Sequence, residues 1–450
     1  IVDLMVEKLF RQRRPESGST VLDPGCGTGA FVDGIVRWCR SHGNALPRIV
    51  GIESDPVHYA VAAGKFESIP GVEIRRADFL TDPCEKFDYI IGNPPYVSIL
   101  GLTEEERRLY KRLFTTATNR FDLYILFFER ALSALRPCGR LVFITPEKYI
   151  FVDSAAALRR LMSGHAVEEL HYISEDSFRD LVTYPLVTTI DGDGRPRATR
   201  VVRRDGTIGA VSLERTTSSW LPQLMGVSES YQGPTLSDLC TRISCGIATG
   251  ADGVFVLPTR SLDPELRTFA YPTIAGREIQ CGRMIPPTRS ILVPYDRTGG
   301  LLPENQLGRL GEFLSLRENK QRLMARSCAR SKPWYSFHEN PAMEDLLAPK
   351  LMCKDIGFSP FFVRPTSFEV IPRHSVYYLV PRSSVDIDHL CAYLNSASAQ
   401  RWLQSHCQRA SRDFIRMQSG VLRRLPVALS STALGNCDPQ APEAQTALTI

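Results

Sequence analysis

The chain has 450 residues, enough for two or three domains, and its net charge of +5 with a pI near 8.6 is only mildly basic. Its 12 cysteines include no CxxC pair, and the two closest, Cys240 and Cys245, have no cluster of His or Cys beside them, so the spacing argues against a zinc site and against a disulfide framework. The sequence shows no signal peptide and no run of about eighteen apolar residues. We therefore expect a cytoplasmic protein that has no bound metal and no membrane partner.

The first predicted element is a buried strand that leads into a glycine-rich turn. The strand is Ser19-Thr20-Val21-Leu22, the turn is Asp23-Pro24-Gly25-Cys26-Gly27-Thr28-Gly29-Ala30-Phe31, and a helix follows over 32–40. This order is typical of nucleotide-binding α/β domains, in which glycines let the backbone approach a ligand closely. Because no Lys-Ser/Thr pair follows the glycines, a phosphate-binding P-loop is disfavoured. An acid at the strand end favours a ligand that carries a positive charge or hydroxyl groups.

Two further predicted strands also end in acids. The run 48–52 ends at Glu53-Ser54, where a carboxylate can accept both hydroxyls of a ribose. The run 72–77 ends at Asp78-Phe79, where the carboxylate can accept an adenine amino group while the ring lies against the base. Taken alone, each acid is more often a helix N-cap or a solvated loop residue. Polar residues at four successive strand ends, however, are hard to assign to caps alone.

The fourth strand end carries the most informative motif. The apolar run 87–92 is followed by Asn93-Pro94-Pro95-Tyr96, and two consecutive prolines cannot continue a strand or a helix. A stiff turn therefore fixes an amide oxygen on Asn93, a backbone oxygen on Pro94 and a flat π surface on Tyr96. These groups suit a planar amine. Taken alone, the four residues fit an ordinary strand-ending turn equally well.

In this order the residues resemble the gamma class of amino-methylating DNA methyltransferases, and most closely the N6-adenine enzymes of restriction–modification systems, the TaqI-like group. The resemblance implies that S-adenosylmethionine is the cofactor, and that Asn93 Oδ1 and the Pro94 carbonyl accept the two N–H bonds of a flipped adenine. It also implies that Tyr96 and Phe178 stack on that base, with Tyr184 as the alternative aromatic. The cofactor-binding residues that it implies are Asp23, Pro24, Gly25, Cys26, Gly27, Gly29, Phe31, Glu53, Ser54, Asp78, Phe79, Asn93 and Pro95.

The resemblance extends to the fold. It implies an α/β domain with the Rossmann-like sheet of class I methyltransferases, ending in an antiparallel hairpin, together with a C-terminal α+β target-recognition domain. Strands over 186–190 and 198–202 flank Asp191-Gly192-Asp193-Gly194, which predicts that they form this hairpin. The Thr-Pro start of the family's preceding motif is missing before Ile1, so we interpret the chain as truncated at its N-terminus.

The predicted domains are a catalytic domain over 1–205, a linker rich in Ser, Thr, Gly and Gln over 206–235, a target-recognition domain over 236–430 and a disordered tail over 431–450. The recognition domain is supported by Gly246 to Phe255 and by Tyr393-Leu394-Asn395-Ser396, which resemble family segments. We expect a monomer that binds double-stranded DNA and acts beside a separate restriction endonuclease. Two basic runs either follow a phosphate backbone or form solvated helix faces: Arg317, Lys320, Arg322, Arg326, Arg330 and Lys332, and Arg401, Arg409, Arg412, Arg416, Arg423 and Arg424.

Several alternatives stay open. Protein glutamine methyltransferases carry the same Asn-Pro-Pro-Tyr motif but lack a large C-terminal recognition domain. An RNA-base methyltransferase is chemically similar and would need an RNA-binding appendage. A DNA-binding specificity subunit with an inactive site is disfavoured by the complete motif set. Cytosine N4 is an alternative target to adenine N6.

Overall fold

The computed structural model describes residues 1–83, 85–174, 184–192, 198–213, 219–226, 233–280, 282–411 and 414–428. The chain divides into two compact units, Ile1–Val227 and Ser228–Ile450. No helix within the described ranges combines the length and the apolar character that crossing a membrane requires. The bounds of the four segments expected from the sequence stay a prediction.

The first unit is built on one nine-stranded sheet with the order β3-β2-β1-β4-β5-β7-β6-β8-β9. The strands from β3 to β5 are parallel, and β7 lies antiparallel between β5 and β6. Its strands are β1 (Thr20–Pro24), β2 (Arg48–Glu53), β3 (Val72–Arg76), β4 (Phe87–Gly92), β5 (Leu135–Pro146), β6 (Ala166–Tyr172), β7 (Pro185–Asp191), β8 (Thr199–Val202) and β9 (Ile208–Val211).

Helices bury apolar residues on this sheet in two separate clusters. One cluster joins the first two helices to β1 through residues such as Phe10 and Ile35, and the other joins the fifth and sixth helices to β5 through residues such as Phe128 and Leu158. The helices are α1 (Val2–Phe10), α2 (Ala30–Ser41), α3 (Pro56–Phe66), α4 (Glu104–Leu113), α5 (Leu123–Ala134), α6 (Ala156–Met162) and α7 (Leu221–Leu224). This large mixed sheet with helices is the Rossmann-like fold of class I methyltransferases, so the predicted fold class is confirmed.

The hairpin predicted between 186–190 and 198–202 is wrong. Both edges of β7 are occupied, because it pairs with β5 on one side and with β6 on the other, and β8 pairs in parallel with β6. The antiparallel hairpin that ends the sheet is formed instead by β8 and β9. Its turn is closed by the Arg203 N–H, which donates to the Thr207 carbonyl at 2.9 Å, and Gly206 adopts a φ of 81° there.

The predicted linker over 206–235 contains regular structure. It includes β9 and α7, and Trp220 is completely buried in the core of the first unit. The backbone N–H of Trp220 donates to the Ile150 carbonyl at 2.9 Å. The polar composition of this stretch therefore did not indicate strand β9 or the burial of Trp220.

The second unit is a mixture of small sheets and short helices. Its sheets have the orders β10-β19-β16, β11-β15-β12-β18, β13-β14 and β17-β21-β20. The strands are β10 (Cys240–Cys245), β11 (Val256–Pro258), β12 (Ala270–Ile274), β13 (Ile279–Gln280), β14 (Arg283–Met284), β15 (Arg289–Leu292), β16 (Leu351–Lys354), β17 (Ile356–Gly357), β18 (Ile371–Pro372), β19 (Val376–Pro381), β20 (Gln408–Ser411) and β21 (Phe414–Arg416). The helices are α8 (Leu236–Leu239), α9 (Asp252–Phe255), α10 (Pro264–Arg267), α11 (Gly308–Ser315), α12 (Arg317–Met324), α13 (Met343–Leu347), α14 (Ile387–Leu394), α15 (Ala397–His406) and α16 (Ser419–Arg424). The predicted tail over 431–450 lies outside the described residues.

Candidate active site

The carboxyl ends of β1, β2 and β4 bring predicted site residues together. Strand β1 pairs in parallel with β2 and with β4, so their ends meet at one edge of the sheet. A Cβ placed on Gly92 would lie 3.4 Å from Asp23 Oδ1, from Pro24 Cδ and from Phe143 Cε1. Gly92, the residue before Asn93, thus lies close to Asp23 and Pro24 at the start of the glycine turn.

The glycine turn needs its glycines for conformation and for space. Gly25, Gly27 and Gly29 have φ values of 75°, 55° and 84°, a region that side chains disfavour. The N–H groups of Gly25 and Cys26 both donate to the Ile52 carbonyl, at 2.8 and 2.9 Å, which fastens the turn to the end of β2. A Cβ on Gly29 would lie only 2.2 Å from the Phe66 ring.

Asp23 is a buried carboxylate without a partner. It is 0% exposed, and neither of its oxygens has a hydrogen bond within the part of the chain that the structure describes. Burial, together with the nearby charge of Glu53, holds the pKa of Asp23 well above its usual range. A buried carboxylate is stabilised only by a cation or by hydrogen-bond donors, so this position fits a positively charged ligand group.

Glu53 connects the glycine turn to the end of β2. Its Oε2 accepts the Gly27 N–H at 2.7 Å, and its Oε1 accepts the Asp55 N–H at 2.8 Å. Each carboxylate oxygen has two lone pairs, so each can accept one further hydrogen bond. Ser54 beside it is exposed. A diol that approached this edge would therefore meet two oriented acceptors.

Asp78 and Phe79 lie where the sequence predicts, but both have local partners. Asp78 Oδ1 accepts the Leu80 N–H at 2.9 Å and Oδ2 accepts the Thr81 hydroxyl at 3.0 Å, which is the geometry of a turn cap. The Phe79 ring is only 3% exposed and packs 5.3 Å from the Phe127 ring, measured between centroids.

Phe127 is a site candidate that the sequence analysis did not single out. A Cβ on Gly25 would lie 3.6 Å from Phe127 Cε1, so this ring lies between the glycine turn and Phe79. Phe127 belongs to a run of six apolar residues in α5. Within such a run the spacing of apolar residues does not tell a buried helix face from an exposed one. Its only sequence signal is its aromatic character within that run.

Cys26 and Phe31 are packed residues. The Cys26 sulfur would lie 3.0 Å from a Cβ on Gly51, and burial raises the pKa of its thiol, so it remains a neutral packing group. Phe31 is 7% exposed and belongs to the cluster between α1, α2 and the sheet. Both side chains therefore pack against the protein interior.

The turn after β4 holds Asn93 and Tyr96 in contact. Asn93 is exposed and Tyr96 is half-buried, and the Tyr96 hydroxyl donates to Asn93 Oδ1 at 2.6 Å. The Ile144 carbonyl, at the end of β5, lies 3.4 Å from the same hydroxyl. The Tyr96 ring meets the Tyr124 ring edge to face, with centroids 6.4 Å apart. Pro94 is buried and Pro95 half-buried between them.

The second base-stacking aromatic is not located. Phe178 lies outside the described residues, so its role stays a prediction. The alternative, Tyr184, has the Arg204 guanidinium 5.4 Å from its ring centroid, a cation–π contact that occupies part of the ring.

The first basic run of the second unit has both structural and exposed members. Arg326 donates to the Thr249 and Trp334 carbonyls, each at 2.7 Å, and burial lowers its pKa. Lys332 donates to the His338 carbonyl at 3.1 Å. The exposed members are Arg317, Lys320, Arg322 and Arg330. Only these four are available to an external phosphate group.

Known proteins that are similar to this chain include several methyltransferases. Residues 64–178 match the Eco57I restriction-modification methylase family. The type II methyltransferase M.PaeR7I from Pseudomonas aeruginosa is 28% identical over 79% of this chain and 67% of its own length, and the type II methyltransferase M.XhoI from Xanthomonas vasicola is 26% identical over 78% of this chain and 70% of its own length. A putative class I S-adenosylmethionine-dependent methyltransferase from Listeria monocytogenes is 16% identical, with a TM-score of 0.37 over 44% of this chain and 60% of that structure.

The matched family residues begin in α3 and run through β4 and the Asn-Pro-Pro-Tyr turn, so they include the centre of the candidate site. The relatives extend the similarity across both units. The chain is thus similar to type II methyltransferases over most of its length and to the Eco57I restriction-modification methylase family over residues 64–178.

Proposed function

We propose that the protein is a site-specific DNA methyltransferase that transfers a methyl group from S-adenosylmethionine to N6 of adenine in duplex DNA, as the modification component of a restriction–modification system. The observation that carries the proposal is the position of Asn93 and Pro94 directly after β4, whose last residue, Gly92, would place a Cβ 3.4 Å from the buried carboxylate of Asp23. The relatives named as type II methyltransferases support DNA as the substrate.

The strand ends fit S-adenosylmethionine. Asp23 would compensate the ammonium group, since it is buried and has no partner within the described ranges. Glu53 would accept the ribose hydroxyls through its remaining lone pairs, and Asp78 with Phe79 would adjoin the adenine. When bound, the cofactor supplies a methyl group on a positively charged sulfur. The chain's own contribution is to hold an acceptor amine in line with that methyl group.

The turn after β4 supplies the groups for the amine. The exocyclic nitrogen of adenine is a weak nucleophile because its lone pair is delocalised into the ring. Acceptance of its two N–H bonds by Asn93 Oδ1 and the Pro94 carbonyl localises that lone pair and stabilises the positive charge that develops during transfer. The target lies inside the duplex, so the base must be flipped out and held, by Tyr96 on one face and by Phe178 on the other.

The second unit is proposed to recognise DNA. The exposed cations of its first basic run, Arg317, Lys320, Arg322 and Arg330, lie on or just after α12 and suit a phosphate backbone. We also propose that the enzyme acts as a monomer, and that a separate endonuclease cleaves the same site when it is unmethylated.

Methyl transfer from labelled S-adenosylmethionine to unmethylated genomic DNA, followed by nucleoside analysis, tests the proposal. We expect labelled N6-methyladenine from the wild type and none from Asn93→Ala, with cofactor binding retained in the variant. Labelled N4-methylcytosine would correct the base, whereas label in RNA or protein alone would contradict the proposal. A fully active Asn93→Ala protein would remove Asn93 from the mechanism.

A further inference from the structure

The side chain of Asn93 has two ends that differ only in their hydrogen-bonding character. Its Oδ1 accepts hydrogen bonds and its Nδ2 donates them, and the two ends have nearly the same size. A rotation of the amide by 180° would therefore fit the same space but present a donor, instead of an acceptor, to a substrate amine. The turn after β4 fixes the backbone of Asn93, but it does not decide between these two orientations.

Tyr96 distinguishes the two ends. Its hydroxyl donates to Asn93 Oδ1 at 2.6 Å, well within the range of a strong O–H···O bond. With Nδ2 turned toward it, the phenol oxygen could accept, but among the described residues the phenol proton would then have only the Ile144 carbonyl at 3.4 Å, beyond that range. Burial raises the pKa of Tyr96, which keeps the phenol protonated and able to donate at neutral pH.

The contact also leaves room for the substrate. An amide oxygen has two lone pairs, so the bond from Tyr96 occupies one and leaves the second for an N–H of the target base. We propose that the Tyr96 hydroxyl is a positioning group that holds the Asn93 amide with Oδ1 toward the substrate amine, separately from any stacking by the Tyr96 ring. This inference rests on the proposed function, since it assigns a role within the same site.

The variant Tyr96→Phe removes the hydroxyl and keeps the ring. We expect its single-turnover rate of methyl transfer, at saturating DNA and S-adenosylmethionine, to fall about three- to tenfold, the rate equivalent of one neutral hydrogen bond. Cofactor affinity and the midpoint of thermal unfolding should stay at the wild-type values. Tyr124→Phe is the matched control, because the Tyr124 hydroxyl is buried without a hydrogen-bond partner among the described residues, and we expect it to transfer at the wild-type rate.

A second background tests the orientation itself. In Asn93→Asp the carboxylate presents an acceptor whichever way it is turned, so removal of the Tyr96 hydroxyl should there change the rate by less than about twofold. An equal loss in both backgrounds would overturn the inference, as would a Tyr96→Phe rate that matches or exceeds the Tyr124→Phe rate. These results would leave the proposed function standing, whereas a wild type that forms no methylated base in DNA would contradict the proposed function itself.

Discussion

Glu53 accepts two backbone N–H groups and is also proposed to bind the ribose, so its substitution should weaken cofactor binding through both contacts. In Glu53→Gln an NH2 group replaces one carboxylate oxygen. This group donates hydrogen bonds, so it can accept neither a backbone N–H nor a ribose hydroxyl. We expect the affinity for S-adenosylmethionine to fall about tenfold or more, the usual loss for a hydrogen bond to a charged group. Isothermal titration calorimetry measures this change directly.

Asp55→Asn is the matched control for that substitution. Asp55 accepts the N–H groups of Val57 and His58, both at 2.9 Å, as the cap of α3, and Asn caps helices about as well as Asp. The cofactor affinity of this variant should equal that of the wild type. An unchanged affinity in Glu53→Gln would remove Glu53 from the ribose site.

At the residue scale, sequence reasoning predicts which polar residues end the strands but not which long-range contacts they and their neighbours make. The acids at the strand ends are predictable because a polar residue after an apolar run marks the edge of the sheet. The contact between Phe79 and Phe127 is not predictable, since it depends on the distance between α5 and a loop far away in the chain.

The helix α1 is attached to the sheet by a buried ion pair. Lys8 is 2% exposed and Glu169, on β6, is 1% exposed, and the two form a salt bridge. Glu169 also pairs with Arg11 and Arg200, whose side chains are 39% and 42% exposed. The Lys8 carbonyl accepts Arg140 Nε at 2.8 Å, which joins α1 to β5 as well. The pair therefore fixes the position of the first helix.

The two partners should differ in the cost of their removal. Glu169→Gln leaves Lys8 buried without a carboxylate, and an uncompensated buried charge costs about 3–5 kcal/mol of unfolding free energy. Lys8→Met leaves Glu169 with two arginines, so its cost should be clearly smaller. Urea unfolding of the two variants measures the difference, with Arg11→Met as the exposed control at below about 1 kcal/mol. Equal costs for Glu169→Gln and Lys8→Met would contradict this account.

The same network predicts how stability depends on pH. Burial alone would raise the pKa of Glu169, but the hydrogen bond and charge of Lys8, aided by Arg200 and Arg11, outweigh it and hold the pKa at about 2 instead of the usual 4.5. A carboxyl group with a lowered pKa in the folded state stabilises that state above its unfolded pKa. This contribution should be lost as the pH falls from about 4.5 to about 2, and it should be missing in Glu169→Gln.

At the element scale, the same buried charge explains the error in the predicted hairpin. The strands β1, β2, β4 and β5 are apolar runs and can be found from the sequence. Strand β6 carries Glu168 and Glu169 at its centre, so its pattern does not resemble that of a core strand. Strands β7 and β8 follow one another in the chain, so with β6 overlooked they predict a hairpin, whereas in the sheet β6 lies between them. The compensating cations that allow Glu169 to be buried come from α1 and β8 and are invisible to local patterns.

At the scale of the whole molecule, each unit has apolar clusters of its own. The clusters that contain Phe10 and Phe128 lie entirely in the first unit, and those that contain Phe337 and Leu390 lie entirely in the second. The proposed cofactor contacts, including Asp23 and Glu53, belong to the first unit alone. Because a ligand stabilises only the part that binds it, the two units should respond differently to S-adenosylmethionine.

We therefore expect differential scanning calorimetry to show two transitions, only one of which moves to higher temperature with S-adenosylmethionine. At a ligand concentration of about 100 times the dissociation constant, the stabilisation of that unit is about 2.7 kcal/mol, which is several degrees for a domain of this size. The variant Glu53→Gln should also show two transitions, and S-adenosylmethionine should shift the first unit's transition less than in the wild type because the affinity falls. A single transition would mean that the two units unfold as one. Two transitions that shift equally would mean that cofactor binding stabilises both units. Either result would contradict this account.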